Sequence, residues 1–360
     1  MNAPAFTSGM RVAVVAMETS HHRDTEGRTH VERVASHLAD DGHEVSVFCA
    51  QWWGGRTSRF EPENISYRAV TVEPAETSFC TRLPALLAKY RPDIVHAIPD
   101  PASVVLAAKT GAKLARAPLV VEWFGDHVAH GRWSDRALKA PDMFVTPSEL
   151  VRTRLREAGA PKDGTTIIPE SIDMETVRSV EPAEEVDVVY AHPLDESANI
   201  QSLFLGLAEL RQRGWSAKIV GDGPMRAEYE QEAADLRIDD RVEFVGECDR
   251  ERRVAIYKGA QVFVQTAFRE YFATELLWAL ACGCIGIVEY QSDSSAHELV
   301  EHRDRAFRVT TPQEIADKIV ESAELEHRTV DEEFAEFDHD AVVADYEALY
   351  ERLVEDRGWF

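Results

Sequence analysis

The run Arg269-Glu270-Tyr271-Phe272-Ala273-Thr274-Glu275-Leu276-Leu277-Trp278-Ala279-Leu280-Ala281-Cys282-Gly283-Cys284 holds the residue types best suited to chemistry in this chain. A carboxylate, Glu270, stands on a short loop. An apolar helical segment follows and ends in small residues and a glycine, and Ile285-Gly286-Ile287-Val288 then reads as a buried strand. A helix that opens just behind an acidic loop turns its unpaired N–H groups and the positive end of its dipole toward whatever binds there. That end suits a phosphate and leaves the Glu270 carboxylate to hold hydroxyl groups. Phe272, Ala273 and Thr274 supply the backbone N–H groups in this reading, with the Thr274 hydroxyl as one further donor. An ordinary helix cap accounts for Thr274 equally well.

Alternating strand and helix patterns must position this loop, which argues for an α/β chain with parallel sheets. Arg11 to Ala16, Glu44 to Phe48, Asp93 to Ala97, Pro118 to Trp123, Met143 to Thr146 and Thr166 to Pro169 read as strands. Helices are expected over Thr29 to Ala39, Leu83 to Lys89, Ala102 to Ala115 and Ser148 to Ala158. The polar, proline-bearing stretch Val180 to Glu185 reads as a linker. A second set follows, with strands at Asp187 to Tyr190, Ser216 to Val220, Val242 to Gly246 and Val262 to Gln265. The last helix, Ala341 to Val354, carries Tyr346, Leu349, Tyr350 and Leu353 on one stripe. Two doubly wound halves with a linker describe two Rossmann-like domains facing each other across a cleft, with ligands at the carboxyl ends of the strands. The expected domains are residues 10–180 and 186–330, with 331–360 returning to the first.

The chain has 360 residues and is 44% hydrophobic, enough for two cores. It carries 64 acidic against 39 basic residues, a net charge of −25. So acidic a chain is a poor non-specific binder of nucleic acid or of an anionic membrane. The acids are scattered and the bases are mostly Arg, a composition expected of a protein working in a very salty cytosol. No apolar run reaches the length of a membrane span, and no basic-then-apolar leader opens the chain; residues 1–9 read as a loose lead-in. The five Cys show no zinc spacing, and reduced thiols fit a cytoplasmic protein.

The order of elements resembles the GT-B fold over about residues 10 to 354, and its motifs resemble glycosyltransferase family 4 (group 1 glycosyltransferases). His30 to Val45, with Gly42-His43-Glu44-Val45, is similar to the family's first helix and "GHEV" turn. Pro92-Asp93-Ile94-Val95-His96 matches "PDIVH", and Ile167 to Asp173 sits where the family has "IPNGID". Val220-Gly221-Asp222-Gly223-Pro224 matches "VGDGP", and Phe244-Val245-Gly246 matches "FLG". His297-Glu298-Leu299-Val300 closes the series. The source this suggests, with the composition, is a halophilic archaeon.

The resemblance implies a retaining, metal-independent sugar transfer from a nucleoside-diphosphate donor, without cofactor, to a glycan, lipid-linked or small-molecule acceptor. It implies that Glu270 is the first of the family's two acids and, with His127, catalytic. Gly221, Gly246, Phe272, Ala273, Thr274, Glu275, His192 and Glu298 are the implied donor-binding residues, and Gly27 and Asp126 lie on the acceptor side. The family's second acid, which grips the nucleotide ribose, falls on Trp278. Glu275, a same-face neighbour three residues earlier, is a candidate substitute, or simply an acid favoured at a helix start. The family's diphosphate-binding Arg and Lys are replaced by His192 and Ser197, and its acceptor-side His by Phe124. These changes also fit a GT-B protein that binds a nucleotide or glycan without transfer, and a nucleotide-sugar epimerase on the same fold is a third reading. Peripheral membrane contact is compatible with all three.

Overall fold

The computed structural model describes residues 9–23, 25–62, 64–125 and 133–357. Its contacts divide it into two compact units, Met1–Pro169 with Asp340–Phe360, and Glu170–His339. Among the described residues no helix is long and apolar enough to cross a membrane.

The first unit is built on the strands β1 (Arg11–Val15), β2 (Glu44–Ala50), β3 (Arg59–Phe60), β4 (Ser66–Thr71), β5 (Ile94–Ala97), β6 (Leu119–Glu122), β7 (Met143–Thr146) and β8 (Thr165–Ile167). They form one sheet in the order β3-β4-β2-β1-β5-β6-β7-β8. All its pairs are parallel except β3 with β4. Helices cover both faces of such a sheet, so its central strands are apolar throughout: all four residues of β5 and of β6 are buried. The helix expected from Leu83 begins at Glu76 and runs to Tyr90 with Pro84 inside it. Phe79, Leu83 and Leu87 hold it to the core, and this packing outweighs the backbone bond that Pro84 removes.

The C-terminal helix, His339–Arg357, belongs to this unit from Asp340 onward. Its stripe of Val342, Val343, Tyr346, Leu349, Tyr350 and Leu353 enters the same core as β1 and β2. Both tyrosine hydroxyls reach a buried polar pair inside it. Tyr346 donates to Glu122 Oε2 at 2.9 Å, and Tyr350 lies 2.6 Å from His96 Nδ1, whose Nε2 is 3.1 Å from the same Glu122 oxygen.

The second unit carries β9 (Val186–Ala191), β10 (Ala217–Val220), β11 (Val242–Gly246), β12 (Ala260–Gln265), β13 (Arg269–Glu270), β14 (Ile285–Glu289), β15 (Asp293–Ser294) and β16 (Ala306–Val309). Six of them make a parallel sheet ordered β11-β10-β9-β12-β14-β16, and β13 pairs with β15 alone. The stretch Val180 to Glu185 does not divide the units. Ile172, Met174 and Val177 are already buried in the second unit's core. The buried Lys258 ammonium caps this segment by donating to the carbonyls of Val177 and Val180. The chain therefore changes unit at Pro169/Glu170 and returns at His339/Asp340. Near these crossings Ile172 and Asp338 form an isolated parallel bridge, so the two chain segments run side by side there.

Candidate functional site

In the second sheet, β9, β10 and β11 step one way while β12, β14 and β16 step the other. The strand order thus reverses between β9 and β12, the kind of switch point at whose carboxyl ends open α/β sheets bind ligands, and the loops that follow the two strands touch there, with the Phe268 N–H donating to the Ser197 carbonyl at 2.9 Å. His192 follows β9 directly and Glu270 follows β12, and the two meet across this switch point with Nε2 3.2 Å from Oε1. Gln265, buried at the end of β12, donates to the same Oε1 at 3.1 Å and fixes the carboxylate. No described residue bonds Oε2, which leaves that oxygen to accept from a ligand. Gln265 was missed in the sequence; its one signal there is an uncharged polar side chain closing an apolar strand.

The His192 ring has an acceptor at each nitrogen: Glu270 at Nε2 and the Pro193 carbonyl 2.7 Å from Nδ1. Only the doubly protonated ring satisfies both. Burial by itself would lower this pKa. The bond to Glu270 and its charge, then the Pro193 carbonyl and Asp195, reverse that, and the pKa stands above the ordinary histidine value. The raised pKa and the two acceptors favour the protonated ring at the place where the sequence lacks an arginine.

Glycines bring the neighbouring loops close. A Cβ on Gly221, whose φ is +120°, would lie 2.2 Å from the His192 carbonyl oxygen, and one on Gly223 would lie 2.3 Å from that of Leu194. Leu194 N–H accordingly bonds the Asp222 carbonyl at 2.9 Å. Gly246 closes β11 and takes the Gly221 N–H on its carbonyl at 3.0 Å.

Beyond Glu270, the helix Thr274–Ala281 opens without a side-chain cap. Its first-turn N–H groups have no intrahelical acceptor by construction. The Thr274 N–H turns back to the Phe272 carbonyl at 3.0 Å, and its hydroxyl donates to Glu170 Oε2 at 3.1 Å. That hydroxyl is therefore engaged with Glu170 rather than presented to a ligand. The Phe272 and Ala273 side chains are buried in the core, which anchors the loop. Ser295, just after β15, clamps it with its N–H on the Glu270 carbonyl and its hydroxyl on that of Tyr271, both at 2.8 Å. Glu298 follows in the short turn Ala296–Leu299, half-buried.

Two expected residues lie elsewhere. Glu275 points into the body of the unit, where Arg250 bonds both its oxygens at 3.0 Å, Arg253 donates at 2.7 Å, and Tyr257 also donates. Four donors fill a carboxylate's acceptor capacity, so Glu275 does not stand in as a ribose grip. Burial alone would raise its pKa, but the Arg250 and Arg253 charges hold it below the ordinary value. Trp278 is buried beneath Arg250, whose guanidinium lies 4.7 Å from the ring centroid. Neither position brings a second carboxylate to the loop, because the helix turns that face toward Arg250–Gly259. The Ser197 hydroxyl and N–H both close on Asp195 Oδ1, at 2.6 and 2.8 Å. Arg226 is engaged by Glu230, Asp222 and the Phe244 carbonyl, while Arg269 is exposed beside Glu270.

In the first unit, a Cβ on Gly27 would lie 2.9 Å from Phe124 Cδ2, so this position needs glycine for the buried Phe124 ring. His21 stacks on Trp52 with ring centroids 3.7 Å apart. Asp126 and His127 lie outside the described residues.

Residues 27–176 match the sequence model of Glycosyltransferase Family 4, and residues 173–335 that of Glycosyl transferases group 1. No curated protein matches the sequence. Solved structures do. A glycosyltransferase from Rickettsia africae superposes with a TM-score of 0.77 at 14% identity, covering 97% of this chain and 99% of that one. HepE from Anabaena in complex with UDP gives 0.71 at 16% identity, covering 95% and 100%. Sucrose-phosphate synthase from Thermosynechococcus elongatus gives 0.71 at 18%, covering 96% and 99%. At these identities the likeness speaks for the fold, which is GT-B.

Proposed function

With its two halves carrying the family 4 and group 1 glycosyltransferase domains, the chain is a glycosyltransferase, and we propose that it moves a hexose, with retention of anomeric configuration, from a nucleoside-diphosphate donor to a glycan, lipid-linked or small-molecule acceptor. The observation that carries the reading is the Glu270–His192 pair at the switch point, beside an uncapped helix start. Structures of HepE, a neighbour in fold, hold UDP and UDP-glucose, which supports a donor of that class.

In this mechanism Glu270 Oε2 accepts from sugar hydroxyls and orients the ring. The bond from the anomeric carbon to the diphosphate oxygen breaks as the sugar gains oxocarbenium character. The helix N-terminus and the His192 imidazolium stabilise the charge that grows on the leaving phosphate, so the reading requires no metal. The acceptor oxygen bonds to the same face of the sugar, and its proton passes to the leaving phosphate. Glycine at 221 and 223 lets the backbone close in around the site. A nucleotide-sugar donor implies a cytoplasmic enzyme.

The test is slow donor hydrolysis by the pure protein in high salt, across a panel of nucleotide sugars. Free sugar should be released from at least one, and Glu270→Ala should lose this turnover while keeping the wild-type circular dichroism spectrum. Nucleotide binding with no release from any donor would overturn the catalytic reading. Conversion to an isomeric nucleotide sugar would make the protein an epimerase, and unchanged hydrolysis by Glu270→Ala would remove Glu270 from the site.

A further inference from the structure

We propose that the C-terminal helix is latched to the first unit by one proton held between Glu122 and His96, so that its hold weakens as pH rises above neutrality. His96 on β5 and Glu122 on β6 are each 1% exposed. His96 pairs with Val120 in register, so Glu122 lies two residues further on and on the same face of the sheet. The strands on either side place valines there, Val14 beside His96 and Val145 beside Glu122. The titratable groups that face the pair come from two helices. The C-terminal helix brings the Tyr346 and Tyr350 hydroxyls. The first helix, Glu26–Asp40, brings His30, whose Nε2 is 2.9 Å from the Tyr346 hydroxyl. Arg28 on that helix is also buried, but Glu18 and Asp100 take its guanidinium.

The hydrogen bonds leave little room for a net charge. Glu122 Oε2 accepts from Tyr346 at 2.9 Å and lies 3.1 Å from His96 Nε2, while Oε1 is buried with no partner. Among the described residues His96 is the only ion-pair partner of Glu122. An ionised Glu122 beside a neutral His96 would bury an uncompensated charge with one bare oxygen, which is strongly unfavourable. One further proton removes that charge. Whether it sits on Glu122 Oε2 or on His96 Nε2, it lies in the same bond. In both cases His96 Nδ1–H donates to the Tyr350 oxygen at 2.6 Å. Burial pushes the Glu122 pKa up, against the bond and charge of His96 and the bond from Tyr346, in keeping with a retained proton.

An unfolded chain gives up its glutamic proton near about 4.3 and its histidine proton near about 6.5. Above the second value the folded pair holds one proton more than the unfolded pair, so stability is lost as pH rises. The helix covers the pair with Tyr346 and Tyr350, and its release is what lets water reach the anion. The inference does not depend on sugar transfer.

Nitrogen-15 NMR of the histidine rings in the full-length protein, at fixed high KCl, tests it, with His96 assigned through its shift in Tyr350→Phe. A protonated Nδ1 is expected about one pH unit above the free histidine value, and a bare one there would overturn the proposal. Hydrogen exchange of the amides of residues 342–353, corrected for the intrinsic pH dependence of exchange, gives a second readout. Protection should fall by about tenfold per pH unit above about 6.5, the dependence set by one proton. Glu122→Gln, which keeps the shape and cannot share a proton, should flatten this fall. Protection independent of pH in the wild type, or the same fall in Glu122→Gln, would each count as refutation. If Glu122→Gln does not fold, the ring NMR and the wild-type exchange decide.

Discussion

A carboxylate and a histidine far apart in the chain meet at Glu270 and His192, and their bond ties proton binding to structure. The folded pKa of His192 is raised, so its contribution to stability is complete below its unfolded value of about 6.5 and is lost as pH climbs through the folded value. Diphosphate affinity should fall over the same rise in pH, because the imidazolium is the cation offered there. Proton NMR of the His192 ring should report a midpoint above about 6.5, moving down in Glu270→Gln; an unmoved midpoint would count against the pair. Glu275 predicts a different outcome from the one its place in the sequence suggests. Its carboxylate anchors two arginines and a tyrosine. Glu275→Ala should therefore cost about 3 kcal/mol in urea unfolding, the scale for stripping one partner from a buried ion pair. Weaker nucleotide binding at unchanged stability would return Glu275 to the ligand site.

At the scale of elements, most strands and helices were legible because each buries a run or stripe of apolar side chains. The six-residue β4 was not read, because Ser66, Arg68 and Thr71 interrupt its apolar residues. Nor were β3, β13 and β15, whose two residues each are too few for any period to show. The linker reading failed for a related reason: Val180 to Glu185 is polar, but its backbone is capped by Lys258, a contact between distant positions. The C-terminal helix was legible as an amphipathic stripe, and its partners Glu122 and His96 were not. Leu349 is nearly fully buried in the first unit's core. Leu349→Ala should lower stability by about 2–4 kcal/mol in denaturant melts. A cost under about 1 kcal/mol would mean that this helix is not part of that core.

At the scale of the whole molecule, the net charge of −25 is the dominant electrostatic fact. Like charges at this density repel across the compact state, and in molar salt the screening length shrinks to about 3 Å. The thermal midpoint should therefore rise markedly between low and molar KCl. A flat response would mean that local ion pairs, such as Arg28 with Glu18 and Asp100, already offset the repulsion. Cys282 and Cys284 are buried, and burial pushes the Cys282 thiol up to about 12, leaving it inert near neutral pH.

The amino-acid sequence by itself determined the alternation of buried strands and amphipathic helices, the two-sheet α/β class, and the acidic loop before the helix at Thr274. These are local or periodic properties, and side-chain burial imprints them on neighbouring residues. Tertiary structure alone decided which charges meet. It set His192 against Glu270 at the position where an arginine is missing. It turned Glu275 inward to Arg250 and Arg253 and put Trp278 beneath a guanidinium. Such pairings depend on the order of strands in the sheet and on which helix face packs inward, and these follow from contacts between residues that no short window of sequence contains.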